Sequence, residues 1–260
     1  MTRPTHEYDA LSRLVDAIRE HQPAAFSCSF GLEDMVLLDL IARHELRTAI
    51  FTLDTGRLHE ETWALIERAR QRYGREIQVL FPQADLVERL VRRDGPNGFY
   101  SSLDARKACC AVRKIEPLGR VLAGKALWIT GLRRGQAVTR GDVPVLAPDP
   151  VYPLLKLNPL ADWTEQQVLG YLAEHDVPVN ALHARGYPSI GCAPCTRAIT
   201  AGEDPRAGRW WWENPEHKEC GLHVGEDRVL QRADPRADPA TSRDRAHADP
   251  SPTRTVIQPS

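Results

Sequence analysis

Short apolar runs alternate with stretches of helical period, and the connections between the runs are too long for hairpins. Residues 24–29, 48–53, 77–81 and 126–130 read as strands. Helices are expected at residues 11–18, 32–43, 59–73, 85–93 and 109–124, with Pro117 kinking or breaking the last. Strands joined through helices favour right-handed βαβ crossovers and a parallel sheet. The expected fold is therefore α/β: a single domain with a mainly parallel twisted sheet flanked by helices. Asp162 followed by Glu165 resembles a capping box opening a helix over residues 163–176. Residues 226–260 differ. They carry Pro235, Pro239, Pro250, Pro252 and Pro259 with scattered charge, so residues 1–225 are expected to form the catalytic domain and residues 226–260 a disordered tail.

Bulk charge excludes some functions. The formal net charge of the 260 residues is -1, which points to no nucleic-acid and no membrane partner. No apolar run approaches the roughly 18 residues of a bilayer span. The first residues lack the apolar core of a signal peptide, so a cytoplasmic location is expected. In a reducing compartment the six cysteines point to metal binding or catalysis, with disulfides disfavoured.

Ligands in open α/β sheets bind beyond the carboxyl ends of the strands. The segment Ser27-Cys28-Ser29-Phe30-Gly31-Leu32-Glu33-Asp34 lies at such an end. Gly31 opens the backbone at a helix N-terminus, where N–H groups can face a phosphate, and the serine hydroxyls can donate to it. Leu53-Asp54-Thr55-Gly56 ends the next strand at the same edge. Asp54 and Glu33 suit ribose hydroxyls or local capping, and an Asx turn at Asp54 is equally consistent. Lys114, Arg133, Arg134, Arg140, Arg206 and Arg209 are the basic residues close in sequence to these ends or to the cysteines. Of Trp210-Trp211-Trp212, at least one is expected to pack in the core.

Cys109-Cys110 and Cys192-x-x-Cys195 supply four thiolates, enough for one Zn²⁺ or one iron–sulfur cluster. Neighbouring cysteines on a helix diverge by roughly 100°, which suits a larger cubane better than one small ion. Lys114, four residues after Cys110, shares its helix face. Cys220 stands apart in His217-Lys218-Glu219-Cys220-Gly221-Leu222-His223, where nearby positive charge can favour a thiolate nucleophile. Cys28 sits in an apolar strand and reads as a core residue.

Taken together, these segments resemble the iron–sulfur adenylylsulfate (APS) reductases of the phosphoadenylylsulfate (PAPS) reductase superfamily. The resemblance runs from about Phe26 to His223. It rests on Ser29-Phe30-Gly31-Leu32-Glu33-Asp34, Leu53-Asp54-Thr55-Gly56-Arg57-Leu58-His59, Cys109-Cys110 with Arg113-Lys114-Ile115-Glu116-Pro117, Thr130-Gly131-Leu132-Arg133-Arg134-Gly135-Gln136, Gly191-Cys192-Ala193-Pro194-Cys195-Thr196-Arg197 and Glu219-Cys220-Gly221-Leu222-His223. The stretch 136–140 is shorter than in relatives. The resemblance implies an adenine nucleotide alpha hydrolase-like fold and a [4Fe-4S] cluster on Cys109, Cys110, Cys192 and Cys195. It also implies Cys220 as nucleophile, with Lys114 and His223 in catalytic roles. Ser29, Gly31, Leu53, Gly131, Arg140, Arg206 and Arg209 are implied as substrate-binding residues. The implied reaction reduces APS to sulfite and AMP through a Cys220 thiosulfonate, with thioredoxin as reductant, in sulfate assimilation for cysteine biosynthesis. The alternatives are a PAPS or dual APS/PAPS reductase, an ATP pyrophosphatase, and a zinc-stabilised interaction module.

Overall fold

The structure is a computed structural model, and it describes residues 4–136 and 141–214. Helix α1 (Thr5–Glu20) precedes strand β1 (Ala24–Ser27). Then follow α2 (Leu32–Arg43), β2 (Ala49–Leu53), α3 (Glu60–Tyr73), β3 (Gln78–Leu80) and α4 (Ala84–Asp94). Next come α5 (Leu103–Cys110), α6 (Glu116–Leu122), β4 (Leu127–Ile129), β5 (Leu146–Pro148), β6 (Leu155–Leu157) and α7 (Glu165–Glu174). The sheet has six strands in the order β3-β2-β1-β4-β6-β5. Every pairing is parallel except β5 against β6.

Side chains alternate between the two faces of a strand, and the core divides accordingly. Phe26, Ile50, Leu127 and Ile129 pack with Leu37, Leu38 and Leu172 on one face. Ala25, Phe51 and Trp128 pack with Leu118 and Leu122 of α6 on the other. Both faces are covered, which is why the central strands are apolar throughout and carry no polar-out alternation. The chain runs outward through β1, β2 and β3, then returns to place β4 on the other side of β1. A crevice opens at such a switch, beyond the carboxyl ends of the strands.

A buried polar network ties the helices of the first face. Asp39 of α2 accepts hydrogen bonds from the Tyr171 hydroxyl of α7 at 2.6 Å and the Tyr73 hydroxyl of α3 at 3.0 Å. Arg43 pairs with the same carboxylate at 3.3 Å.

Two of the expected boundaries are corrected. The helix placed at residues 109–124 is three pieces: α5 begins at Leu103 with Ser102 capping Ala105, a π-helical segment covers Ala111–Ile115, and α6 follows. Cys109 and Cys110 thus end a helix. Pro117 sits in the first turn of α6, where its missing N–H costs nothing, and the irregularity falls just before it. The capping box of the last helix is Thr164 with Gln167, two residues later than Asp162 with Glu165. Asp162 is instead taken by Arg13 and Arg134. The 225/226 domain boundary and the tail lie outside the described residues.

Replacing Asp39 with alanine leaves two tyrosine hydroxyls in the packed region without their acceptor. A loss of about 2–4 kcal/mol is expected, read from urea unfolding. A change below about 0.5 kcal/mol would mean that the network is not formed in solution.

Candidate functional site

The carboxyl ends of β1, β2 and β4 meet around one cavity of about 320 Å³. Its floor is built by the β1–α2 loop. Phe30 is buried there with a left-handed backbone, φ 62°, and this turn delivers Gly31 as the residue preceding α2. The Ser29 N–H and hydroxyl both donate to Asp34 Oδ2 at 2.6 Å, and the Gly131 N–H donates to the same carboxyl. A Cβ on Gly131 would lie 2.3 Å from Asp34 Oδ1 and 3.1 Å from the Glu33 Cβ. Only glycine lets the end of β4 close against the start of α2. Burial pushes the Asp34 carboxyl up to about 6, against the pull of the Ser29 donors.

Ser29, Gly31, Leu53 and Gly131 all line the cavity. The Ser27 hydroxyl accepts from Trp128 Nε1 at 2.9 Å and donates to the Ile129 carbonyl, so both serine hydroxyls are engaged by the protein. Asp54 accepts from the Gly56 N–H at 2.8 Å, which is the Asx-turn reading. Cys28 is buried, and its thiol is pushed up by burial and by the nearby Asp34 charge, as suits a core residue.

The cysteines come from two segments. Cys109 and Cys110 end α5, while Cys192 and Cys195 bracket a 3-10 turn, Ala193–Cys195. That turn is tied down by Ala193 N–H to the Arg57 carbonyl at 2.8 Å and by Thr196 Oγ1 to the Cys192 carbonyl at 2.9 Å. Gly191 is required beside it, because a Cβ there would lie 2.4 Å from Arg209 Nη2. Burial pushes the Cys195 thiol up to about 12, and the neighbouring Cys192, Cys110 and Cys109 add to the shift while Lys114 opposes it. Cys109 is likewise raised, first by burial and with Cys192 contributing, against Arg113. The four sulfurs therefore share one electrostatic neighbourhood. Among the described residues, no three His, Cys, Asp or Glu side chains converge closely enough to hold a single metal ion.

Polar side chains reach these sulfurs. Thr55 Oγ1 lies 3.2 Å from Cys192 Sγ. Arg113 hydrogen-bonds Cys109 and donates to the Thr55 carbonyl at 2.7 Å. Arg106 hydrogen-bonds Cys110. Sequence reasoning did not reach Arg106, and it named Arg113 only within its motif without a role, since nothing marks one arginine in a helix as turned inward.

The cations divide. Arg133 is buried against Glu33 at 2.8 Å and donates to the Trp163 carbonyl, and Arg134 pairs with Asp162. Lys114, Arg206 and Arg209 line the cavity. Arg209 stacks on Trp210, 4.6 Å from the ring centre, and reaches Ser189 Oγ and the Ile190 carbonyl at 3.4 and 3.2 Å. Trp210 is the buried member of the tryptophan run. His183 also lines the cavity and was missed, because its segment carries no recognisable motif. Its Nδ1 lies 2.8 Å from the Tyr187 carbonyl, and burial lowers its affinity for a proton. Arg140, Cys220 and His223 lie outside the described residues.

Residues 23–198 match the phosphoadenosine phosphosulfate reductase domain. The chain belongs to that family. An adenosine 5'-phosphosulfate reductase of Allochromatium vinosum is 53% identical over 247 residues, covering 95% of each chain. One from Burkholderia cepacia is 52% identical over 217 residues, covering 83% of this chain and 87% of its own. Among solved structures, the phosphoadenylyl-sulfate reductase of Candida auris, as a phosphate complex, aligns with a TM-score of 0.63 at 25% identity, covering 74% of this chain and 90% of its own. The FMN adenylyltransferase of Candida glabrata shares the fold at a TM-score of 0.54 and 15% identity, covering 87% and 80%. Membership in the reductase-domain family makes this chain an enzyme of sulfonucleotide reduction.

The raised Asp34 carboxyl has a sign that can be checked. Folding strengthens its hold on a proton, so its contribution to stability is greatest below about pH 4 and declines as pH rises through about 6. Between about pH 5 and 7.5 the protein should lose about 1 kcal/mol more stability than an Asp34→Asn variant, measured by urea unfolding. Identical slopes would show that the carboxyl is already ionised in the fold at the lower pH.

Proposed function

We propose that this enzyme reduces adenosine 5'-phosphosulfate to sulfite and AMP, in assimilatory sulfate reduction leading to cysteine. The observation that carries the reading is the grouping of four thiols beside a cavity at the nucleotide end of the sheet. They stand in a chain half identical, over nearly its whole length, to proteins named for that reaction.

The donor set fits an iron–sulfur cluster. Burial and neighbouring sulfurs push the Cys109 and Cys195 thiols up, and a cationic centre among the four would reverse that and hold thiolates. Cys109, Cys110, Cys192 and Cys195 are assigned to a [4Fe-4S] group, which supplies an electrostatic centre at the cavity wall. Lys114, acting on Cys195 and lining the cavity, is placed between that centre and the bound phosphosulfate, where its charge offsets both. Arg140, Arg206 and Arg209 bind the anionic groups, with His223 beside the reacting sulfur. Ser29, Gly31, Leu53 and Gly131 form the nucleotide pocket, chiefly through backbone groups, since the serine hydroxyl already serves Asp34.

Cys220 is the nucleophile. Its thiolate attacks the sulfur of the substrate, the S–O bond to phosphate breaks, and AMP departs with the electron pair. A Cys220 thiosulfonate remains. A protein dithiol such as thioredoxin attacks the Cys220 sulfur and releases sulfite. Its second thiol then resolves the mixed disulfide, so the two electrons come from the dithiol. Residues 1–225 form this catalytic unit, with residues 226–260 as a tail outside it. The free thiols suit the cytoplasm. No helix among the described residues is long and apolar enough to cross a membrane.

Two experiments test the reading. Anaerobically purified protein given APS without any dithiol should gain one SO₃ by intact mass, and the Cys220→Ser variant should gain none. An adduct persisting in that variant removes Cys220 from its role. The kcat/KM should be much higher for APS than for PAPS, and equal or reversed preference refutes the substrate assignment. Separately, iron and acid-labile sulfide should accompany the anaerobic protein and drop sharply in Cys195→Ser. One zinc per chain with no sulfide would establish the zinc-module alternative.

A further inference from the structure

The most deeply buried ion pair among the described residues, Arg106 with Glu213, has been given no role in substrate binding or sulfonyl transfer. Arg106 donates to Glu213 through Nε at 2.9 Å and Nη2 at 2.8 Å, a bidentate fork, with side-chain exposures of 1% and 6%. Arg106 lies one turn before Cys110 on α5, on the same helix face, and its guanidinium also hydrogen-bonds the Cys110 sulfur. Its flat face lies 4.8 Å from the ring centre of Trp210. Trp210 in turn donates its N–H to the Cys195 carbonyl at 3.1 Å, and the Glu213 N–H donates to the Trp210 carbonyl at 2.8 Å. Residues 210–213 are thus fastened to both cysteine segments, by a side-chain fork on one side and the backbone on the other. The left-handed backbone of Trp210, φ 41°, is held by the same contacts.

We infer that Arg106 and Glu213 are positioning residues for the nucleophile: the fork fixes the point from which the chain departs toward Cys220. The inference rests on the reading of Cys220 given above. Cys220 lies seven residues beyond Glu213, so at 3.3–3.6 Å per residue its thiol operates within roughly 25 Å of the anchor. Arg209 and Trp210, just before the anchor, line the cavity. The anchor therefore holds the described end of the chain at the cavity wall. Without it, residues 210–213 keep only their backbone fastening, and the point of departure toward Cys220 is no longer fixed. Bidentate arginine–carboxylate geometry supplies this directional hold, which a point charge does not. A purely structural role for a buried pair predicts something different: apolar residues of similar volume often replace such a pair without loss of stability.

That difference supplies the test. The double variant Arg106→Met/Glu213→Leu keeps the volume and removes the fork, and Glu213→Asp keeps the charge while shortening the reach. Three quantities are measured on anaerobically prepared protein: APS affinity by calorimetry, iron content, and the single-turnover rate of SO₃ transfer to Cys220 by intact mass. The double variant should bind APS within about twofold of the unaltered protein, and its transfer rate is expressed per iron-loaded chain, since Arg106 also touches Cys110. Its transfer rate should fall by about tenfold or more, since a misplacement of about 1 Å can cost on the order of a hundredfold. Glu213→Asp should fall between. Transfer at the unaltered rate in either folded, APS-binding variant overturns this inference alone, as does a transfer defect matched in size by loss of APS affinity. Absence of any adduct in the unaltered protein overturns the assignment of Cys220, and this inference with it.

Discussion

Parallel pairing is the constraint from which the site follows. Strands that all run the same way present all their carboxyl ends at one edge, and the crossovers that join them must cover both faces. Here the chain reverses its direction of growth at β1, so the loops after β1 and β4 leave from neighbouring strands. The gap between them would stay a simple crevice without Asp34. By accepting from Ser29 on one loop and Gly131 on the other, it joins the two sides of the switch at the cavity floor. A carboxylate that costs stability at neutral pH is retained where it fixes two strand ends to each other.

The cysteines face the opposite problem. Their segments are far apart in sequence and are brought together by ordinary means: the end of one helix, a 3-10 turn, and backbone bonds to the loop after β2. What results is a set of half-buried thiols in which burial and neighbouring sulfurs oppose the ionisation of Cys109 and Cys195. Arg106, Arg113 and Thr55 each approach a different sulfur. Of these, Arg113 opposes the upward shift of the Cys109 thiol.

Much of this was legible in the sequence because it rests on local signals. The bounds of α2 at Leu32 and Arg43 follow from apolar spacing and a glycine at the start, and the central strands from uninterrupted apolar runs. Strands β5 and β6 were not anticipated, for a physical reason. Each has three residues, and β6 contains Lys156, whose ammonium lies 4.3 Å from the centre of the Trp128 ring and 3.6 Å from Asp149. A lysine tolerated this way erases the apolar run that would mark a buried strand. The division of α5 from α6 was hidden because a π turn has no composition of its own. The inward arginines were hidden for the related reason that pairing between distant segments leaves no periodic trace.

Charge placement also explains why arginines adjacent in sequence to the site differ in what they can do there. Arg133 faces the cavity, yet its charge is matched inside the wall by Glu33, and its remaining reach is taken by a backbone carbonyl. An approaching anion gains little from such a pair, because any attraction to the guanidinium is offset by repulsion from the carboxylate beside it. Arg209 is held differently. Its described hydrogen bonds go to a serine hydroxyl and a backbone carbonyl, both neutral, and its face rests on Trp210. Stacking and neutral acceptors fix a guanidinium in place without cancelling its charge, and burial raises the strength of that charge toward whatever enters. Orientation without neutralisation is what an anion-binding site requires. It separates the arginine that organises the wall from the one that can meet a phosphosulfate.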